Sequence, residues 1–444
     1  MTPYHVVALS ETADLALIRK MMDVFCLEEA GGSLPAGRRD SAALLAHPLT
    51  RNYLKRLPDP KRLLLYQNYP DLEDLAKEEG WRLLANPSSL RLRLRQRTFF
   101  QEMTTDTGLP RIPGAIHPFQ TLKERGYEAW CREFSPQFVI QLPEIAQGGG
   151  RGTFFIRTAD AYQRLAARLK PGAWRGVPIT SLFVRRFVEG TPASIALCVT
   201  RHGVLASGLQ QQLIDLPYCM NALENGVFCG HVWNSLPWPD GVQEAALRQA
   251  HRIGQYVKDL GYQGIFGIDF IIEKRTSQVY ALEINPRFTG AFPMLSLLHM
   301  QNGIIPLDIF HVLEFLDFDY QIDVDTLNRR YQRPFQGSHL LLFLPPRNTP
   351  RNRIPLRAGL FEIGAHGRDI RFIREGIGYQ DIENEHQFII TDGPPVSGSG
   401  SETSTDSLAR LCHLLLSYPA ADNAGCLSPR TRRILKWIYK MADS

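Results

Sequence analysis

At 444 residues the chain is too long for one simple hydrophobic core, so about two to four subdomains are expected. Its 44% hydrophobic and 21% charged residues are those of a globular protein, and no apolar run approaches the roughly 18 residues of a membrane span. The net charge of +5 is concentrated in residues 333–374, where eight arginines face only Glu362 and Asp369; such a surface can receive carboxylates, phosphates or nucleic acid.

The opening "MTPYHVVALSETADLALIRK" has no basic segment followed by an apolar stretch, which argues against secretion. Seven scattered cysteines (26, 131, 198, 219, 229, 412 and 426) form no CxxC pair. That pattern points to reduced thiols in a cytoplasm and away from a zinc site or a disulfide framework.

In chain order, residues 1–94 read as a small α/β unit. "YHVVALS" and "RLLLYQNY" are strands, "ETADLALIRKMMDVFCLEEA" and "DLEDLAKEEG" helices, and "WRLLANPSS" a short strand ending in a turn. The alternation favours a parallel, Rossmann-like sheet, yet no G-x-G-x-x-G follows the first strand, so dinucleotide binding is not expected. "RLRLRQRTFFQEMTTDTGLPRIPG" is a helix that stops at Gly108 before an extended piece. A second α/β unit spans 115–200 around a glycine-rich run. Strands follow in "SLFVRRFVEGTPASIALCVT" and "HGVLASGLQQQLID", then a long irregular connection to residue 240. "VQEAALRQAHRIGQYVKDLGY" is an amphipathic helix with Val242, Ala246, Leu247, Ala250, Ile253, Val257 and Leu260 on one face and Gly261 as its cap. Residues 264–290 read as two strands and a polar turn, with a helix next in "AFPMLSLLHM". Short strands fill 335–396, "SGSGSETSTDS" is a loop, and "LARLCHLLLSY" and "TRRILKWIYK" are expected as closing helices.

The hairpin carries the most specific chemical signal. With its turn centred near residue 276, Asp269 lies opposite Glu283, and Asn285 shares the face of Glu283. Phe270, Ile272, Leu282 and Ile284 are expected to point into a core. Two facing carboxylates repel unless something compensates, and a magnesium ion that also holds phosphates takes oxygen ligands of these types. Arg287, just beyond, offers a planar fork for phosphate or carboxylate. A strand end with a capping arginine is the plainer alternative for this segment.

"QFVIQLPEIAQGGGRGTFFI" places glycines and Arg151 between two strand-like flanks with no GK[ST]. It reads as a hairpin loop whose bare N–H groups and Arg151 can fold over a polyphosphate, or as an ordinary flexible turn. "SLFVRRFVEG" is a strand whose backbone edge can pair an adenine, with Val139 and Phe187 sandwiching the ring, and it equally resembles any edge strand.

In this order, over roughly residues 1–320, these segments resemble the ATP-grasp family of carboxylate–amine ligases, similar to D-alanine–D-alanine ligase and biotin carboxylase. The resemblance implies an α/β ATP-grasp fold. It divides into a Rossmann-like pre-ATP-grasp domain (1–94), a lid with the glycine loop (95–190), a main subdomain with the metal site (191–330) and a C-terminal α+β domain (331–444). Carried over residue by residue, it implies Asp269, Glu283 and Asn285 as magnesium ligands, and Arg287 beside an acyl phosphate. ATP would be held by Arg185, Arg186 and Val188 at the hinge and by Gly148, Gly149, Gly150 and Gly152 in the phosphate loop.

Three positions depart from the family pattern. Gln141 stands where a lid lysine is usual, Arg97 replaces a second phosphate-contacting lysine, and Pro192 falls where an acid usually holds the ribose, with Glu189 as its substitute. Arg151 is then the expected replacement for the missing lid charge. "ANPSSLRLRLRQR" looks like the corresponding part of pheganomycin-type peptide ligases, and the tail is similar to the C-terminal domain of biotin carboxylase, without a biotin-carrier segment.

The implied activity uses ATP and Mg2+ to activate a carboxylate as an acyl phosphate and join it to an amine. Small-molecule or peptide carboxylates and amines are the expected partners, the arginines of 333–374 dock an acidic acceptor, and a homodimer is carried as an expectation. Two other classes remain. One is a protein of the same fold with reduced or lost catalysis, acting as a binding module. The other is a single-strand nucleic-acid binder built on "RFIREGIGY", which lacks any recognised module.

Overall fold

A computed structural model of the chain describes residues 4–443 apart from 11, 36–39, 146–151, 170–171, 175, 217–218, 220–225, 234–237, 344–356, 365–368, 393–409 and 423. The N-terminal unit is α/β with parallel pairing, His5–Ala8 beside Asp23–Cys26 and Arg62–Leu64 beside Arg82–Leu84. The helix expected over "ETADLALIRKMMDVFCLEEA" is confined to Leu15–Ile18. Its second half, "DVFC", forms a strand, because β-branched and aromatic residues with a buried Cys26 pair better with the first strand than they extend a helix.

The segment expected as a lid holds a four-stranded antiparallel sheet in the order Gly114–Pro118, Ser181–Arg186, Phe138–Gln141, Thr153–Ile156. One face, with Phe138, Ile140, Leu182 and Val184, closes on Trp130 and Leu165. The opposite face therefore carries Val139, Gln141, Phe183 and Arg185, since Gln141 pairs with Phe183 and Val139 with Arg185. Gln141 also pairs with Thr153, and the Leu142 N–H donates to Gly152 O, so the glycine run does connect two antiparallel strands. Gly148, Gly149, Gly150 and Arg151 lie outside the described residues.

An eleven-stranded sheet organises the rest. It runs Val279–Asn285, Gly264–Glu273, Gly190–Thr200, Gln210–Ile214, Phe228–Trp233, Gly337–Phe343, Arg410–Leu416, Gln387–Thr391, Gly359–Ile363 and Ile370–Arg374, with Gly203–Ala206 paired to Gly190–Thr200. Gly190–Thr200 is covered on both faces. Ala193, Ile195, Leu197 and Val199 pack on the helix Val242–Asp259, while Ala196 and Cys198 pack on the helices Phe292–Gln301 and Leu307–Phe315. Ser194 shares the second face and is the strand partner of Asp269, so the acids open onto that side of the sheet.

Two expectations fail in this sheet. "LARLCHLLLSY" is not a helix: Arg410–Leu416 is an interior strand between two neighbours. A short apolar run buried on both sides has no period that separates strand from helix. Phe228–Trp233 is likewise a strand within the stretch expected to be irregular, its pattern diluted by Gly230 and His231. The closing helix does form, over Pro429–Asp443.

Gly230 marks the seam between the main strands and the C-terminal ones. Its φ is +139°, and a Cβ there would stand 2.0 Å from the carbonyl oxygen of His339 on the adjacent strand. Gly230→Ala is expected to lower stability by about 3 kcal/mol, read from the urea midpoint of unfolding.

Candidate functional site

The acidic hairpin has the register that its sequence symmetry predicts: Asp269 is paired with Glu283, and Gly267 with Asn285. That register depends on a feature the symmetry does not reveal. Nearer the turn, Ile272 pairs with Val279 and Phe270 with Ala281, and the register then shifts so that Leu282 is the extra residue of a β-bulge. Without the shift Asp269 would face Leu282. The core face is accordingly Phe270, Ile272, Val279, Ala281 and Ile284. Leu282, expected in the core, is only half-buried.

Arg97 pins the bulge. One guanidinium nitrogen donates to Leu282 O at 3.2 Å and another to Glu283 Oε2 at 2.7 Å. The residue expected to touch phosphate thus holds a carboxylate of the candidate metal set in place. Asp269 is held from two other directions: Gln212 Nε2 donates to its Oδ1 at 2.8 Å and Asn285 Nδ2 to its Oδ2 at 2.9 Å. Arg287 Nη2 donates to Asn285 Oδ1 at 3.1 Å, while Nη1 donates to Phe288 O and the Tyr66 hydroxyl. Its guanidinium lies 5.1 Å from the Tyr66 ring centroid. The four residues Asp269, Glu283, Asn285 and Arg287 form one connected network.

The charges in this network are unequal. Loss of water, then the Glu283 charge opposite, pushes the Asp269 carboxyl up to about 7, against the weaker pull of Asn285 and Arg287. Burial acts on Glu283 in the same sense, but Arg97, through its charge and its hydrogen bond, outweighs it and holds this carboxyl below its ordinary range. The pair therefore holds one proton readily and two negative charges only at a cost. Among the described residues no cluster of three or more His, Cys, Asp or Glu could hold a metal ion. The donor set is two carboxylates and an amide, which suits magnesium that completes its shell with phosphate oxygens and water, and does not suit zinc.

At the hinge, Arg186 donates to Glu273 Oε1 at 3.2 Å, and the exposed Glu189 pairs with Lys274 at 3.3 Å. Both are occupied in tethering the lid strand to the main sheet. Val188 is buried, and its N–H donates no hydrogen bond among the described residues. Arg185 differs from Arg186. Among the described residues it has no ion-pair or hydrogen-bond partner, only the Phe183 ring at 5.8 Å. Burial and the neighbouring Arg97 push its guanidinium down to about 10. Gln141, on the same lid face, donates to Thr153 Oγ1 at 3.1 Å and leaves its buried Oε1 without a partner.

Sequence reasoning missed Gln212 and Tyr66, because the first lies on a strand read without its neighbours and the second in the N-terminal unit. It also missed a buried polar row beyond Asp269. Gln210 Nε2 donates to Ser194 Oγ at 3.1 Å, Ser194 Oγ lies 3.2 Å from His231 Nε2, and His231 Nδ1 lies 2.9 Å from His339 Nε2. Burial drives both imidazoles down, His339 to about 3, so the pair is neutral. The described arginines of 333–374 are mostly engaged locally, Arg371 with Glu362, Arg374 with Asp381 and Arg357 with Glu375, so the expected docking surface for an acidic acceptor finds little support in them.

The unequal pair has a pH signature. A carboxyl raised from about 4 in the unfolded chain to about 7 in the fold contributes stability at acid pH that is lost as pH rises through 7. Asp269→Asn is expected to flatten that loss, so that without divalent cation the variant unfolds at a higher temperature than the parent at pH 8 and not at pH 5. Thermal scans at the two values check it.

Residues 139–291 match the family model described as "ATP-grasp domain". The chain is 25% identical over 226 residues, half of its length, to the arginine-specific carbamoyl phosphate synthase large chain of Geobacillus stearothermophilus, covering 19% of that protein. It is 24% identical over 274 residues to the [butirosin acyl-carrier protein]–L-glutamate ligase of Niallia circulans, covering 60% of each. The chain thus spans less than two thirds of both curated relatives. Among solved structures, the biotin carboxylase domain of Hydrogenobacter thermophilus 2-oxoglutarate carboxylase, a dimer with MgADP, ADP and bicarbonate, superposes with a TM-score of 0.58 at 14% identity. That match covers 93% of this chain and 81% of the other. Among the described residues no helix is long and apolar enough to cross a membrane. The chain carries an ATP-grasp domain at residues 139–291, set within a fold shared with biotin carboxylase.

Proposed function

We propose that the protein is an ATP- and magnesium-dependent ligase that activates a substrate carboxylate as an acyl phosphate and joins it to an amine. The observation that carries this reading is the facing pair Asp269 and Glu283, kept against its own repulsion and backed by Asn285 and Arg287. Magnesium would be held by Asp269, Glu283 and Asn285 and would neutralise phosphate oxygens as charge moves between them. ATP would lie between lid and main sheet, its adenine edge on the Val188 N–H, which has no acceptor among the described residues, and its phosphates under the glycine run.

In the reaction, a carboxylate oxygen of the substrate attacks the γ-phosphorus and the bond to the β-phosphate oxygen breaks, giving acyl phosphate and ADP. The amine then attacks the acyl carbon, phosphate leaves, and the amine gives up a proton. Arg287, fixed by Tyr66 and Phe288 O, offers donors to the oxygen charge that develops at that carbon. A lid closed over the glycine hairpin excludes water, which would otherwise hydrolyse the acyl phosphate.

The competing reading, a fold without efficient ATP use, draws support from Gln141 in the place of the usual lid lysine. Arg185 weakens it. This guanidinium shares the Gln141 face of the lid and forms no ion pair among the described residues, the nearby Glu283 being held by Arg97, so we assign it the phosphate-facing charge that Gln141 does not supply. Arg151 remains a second candidate for that charge.

Asp269→Asn combined with Glu283→Gln is expected to reduce magnesium-dependent ADP formation about a thousandfold; turnover that survives the pair would remove the metal assignment. Arg185→Ala is expected to weaken Mg·ATP binding by about tenfold or more in calorimetry. Adding Gln141→Lys to it should restore much of the loss, because the lysine would enter the same lid face.

A further inference from the structure

Tyr66 reaches the end of the acidic hairpin from the N-terminal unit by three contacts. Its carbonyl oxygen accepts the Phe288 N–H at 3.2 Å, its ring centroid lies 5.1 Å from the Arg287 guanidinium, and its hydroxyl oxygen accepts from Arg287 Nη1. The backbone bond and the ring contact suffice to join these two parts of the chain, and a phenylalanine would make both. Anchoring therefore leaves the hydroxyl unexplained. Tyr66 is also 55% exposed, and its bond to Arg287 lies at the surface, where a ligand can reach it.

The direction of that bond decides what the hydroxyl has left to give. A guanidinium can only donate, so the Tyr66 oxygen is the acceptor and its single proton points elsewhere. Among the described residues nothing accepts that proton. Arg287 is used up in the same ordered way: Nη1 donates to Tyr66 and to Phe288 O, and Nη2 donates to Asn285 Oδ1. Its Nε–H and one Nη2 hydrogen have no acceptor among the described residues. Three donors on two touching side chains are thus left beside Asn285, which itself donates to Asp269. Accepting from a cation polarises the hydroxyl and makes its O–H the stronger donor.

We propose that the Tyr66 hydroxyl is a catalytic donor, sharing with Arg287 the substrate carboxylate oxygen that is not phosphorylated. The proposal deepens the ligase reading and rests on it. That oxygen stays with the substrate throughout. It begins in a carboxylate, becomes the carbonyl oxygen of the acyl phosphate, and takes up negative charge again when the amine attacks. The O–H donates to it and keeps its proton, so no bond is made or broken at Tyr66. The contact is worth most when charge returns to the oxygen.

The test uses the full chain with Mg·ADP and tyrosines labelled with 13C at Cζ, observed by NMR. Acetate, propionate and L-alanine are the probes, with methylammonium as the contrast. The Tyr66 signal, identified by its loss in Tyr66→Phe, is expected to shift with at least one carboxylate and not with methylammonium. Tyr66→Phe should weaken that carboxylate about tenfold, with Mg·ADP affinity and unfolding temperature those of the parent. Acetyl phosphate and Mg·ADP then report on the chemistry: phosphorus leaves the acyl oxygen for a β-phosphate oxygen of ADP, giving ATP and acetate. Because the departing acetate gains charge on the oxygen in question, Tyr66→Phe should lower kcat for ATP formation about tenfold with little change in KM for Mg·ADP. No shift with any carboxylate, equal carboxylate affinity in Tyr66→Phe, or an unchanged kcat would each overturn the proposal. So would losses matched by weaker Mg·ADP binding and a lower unfolding temperature, which mark a purely structural residue. A Tyr66-dependent shift in a parent protein that makes no ATP would instead sink the ligase reading and leave Tyr66 as a carboxylate donor.

Discussion

The repulsion between Asp269 and Glu283 organises the centre of this molecule. Two carboxylates on paired strands lose water and face each other, and several features of the surroundings answer that cost. Arg97 supplies a cation to one acid, Gln212 and Asn285 donate to the other, and the bulge at Leu282 turns both onto one face while Ile284 remains in the core. These helpers come from distant parts of the chain. The helix Arg97–Asp106, the strand Gln210–Ile214 and the hairpin itself must all be in place before the acids are tolerable.

The cations around the acids differ in their engagement in a way that exposure alone does not reveal. Arg97 and Arg186 are committed to Glu283 and Glu273, and Arg287 is bound on both sides by neutral oxygens. Arg185 forms no ion pair among the described residues and feels the Glu283 charge only at a distance.

Much of this was legible in the sequence because it is local. Hairpin symmetry about residue 276 pairs Asp269 with Glu283, and the 3.6-residue period of Val242–Asp259 gives its buried face. What failed depended on neighbours far away in sequence. The strand Arg410–Leu416 is apolar on both sides because it lies between two other strands, and "DVFC" is a strand because His5–Ala8 lies beside it. Leu282 leaves the core because of a one-residue irregularity that periodicity does not encode. Gln212 carries no motif; its meaning comes from the Asp269 oxygen it reaches in three dimensions.

The seam at Gly230 has a consequence for how the chain can be divided. His231 and His339 are backbone partners, so the main strands and the C-terminal strands form one hydrogen-bonded surface with no natural cut between them. Shortening the chain ahead of Gly337 would leave Phe228–Trp233 as an open edge, with unpaired amides flanked by Phe228, Val232 and Trp233. Such an edge is a template for strand addition by a second molecule. The C-terminal strands thus act as a guard against self-association, apart from any part they take in chemistry.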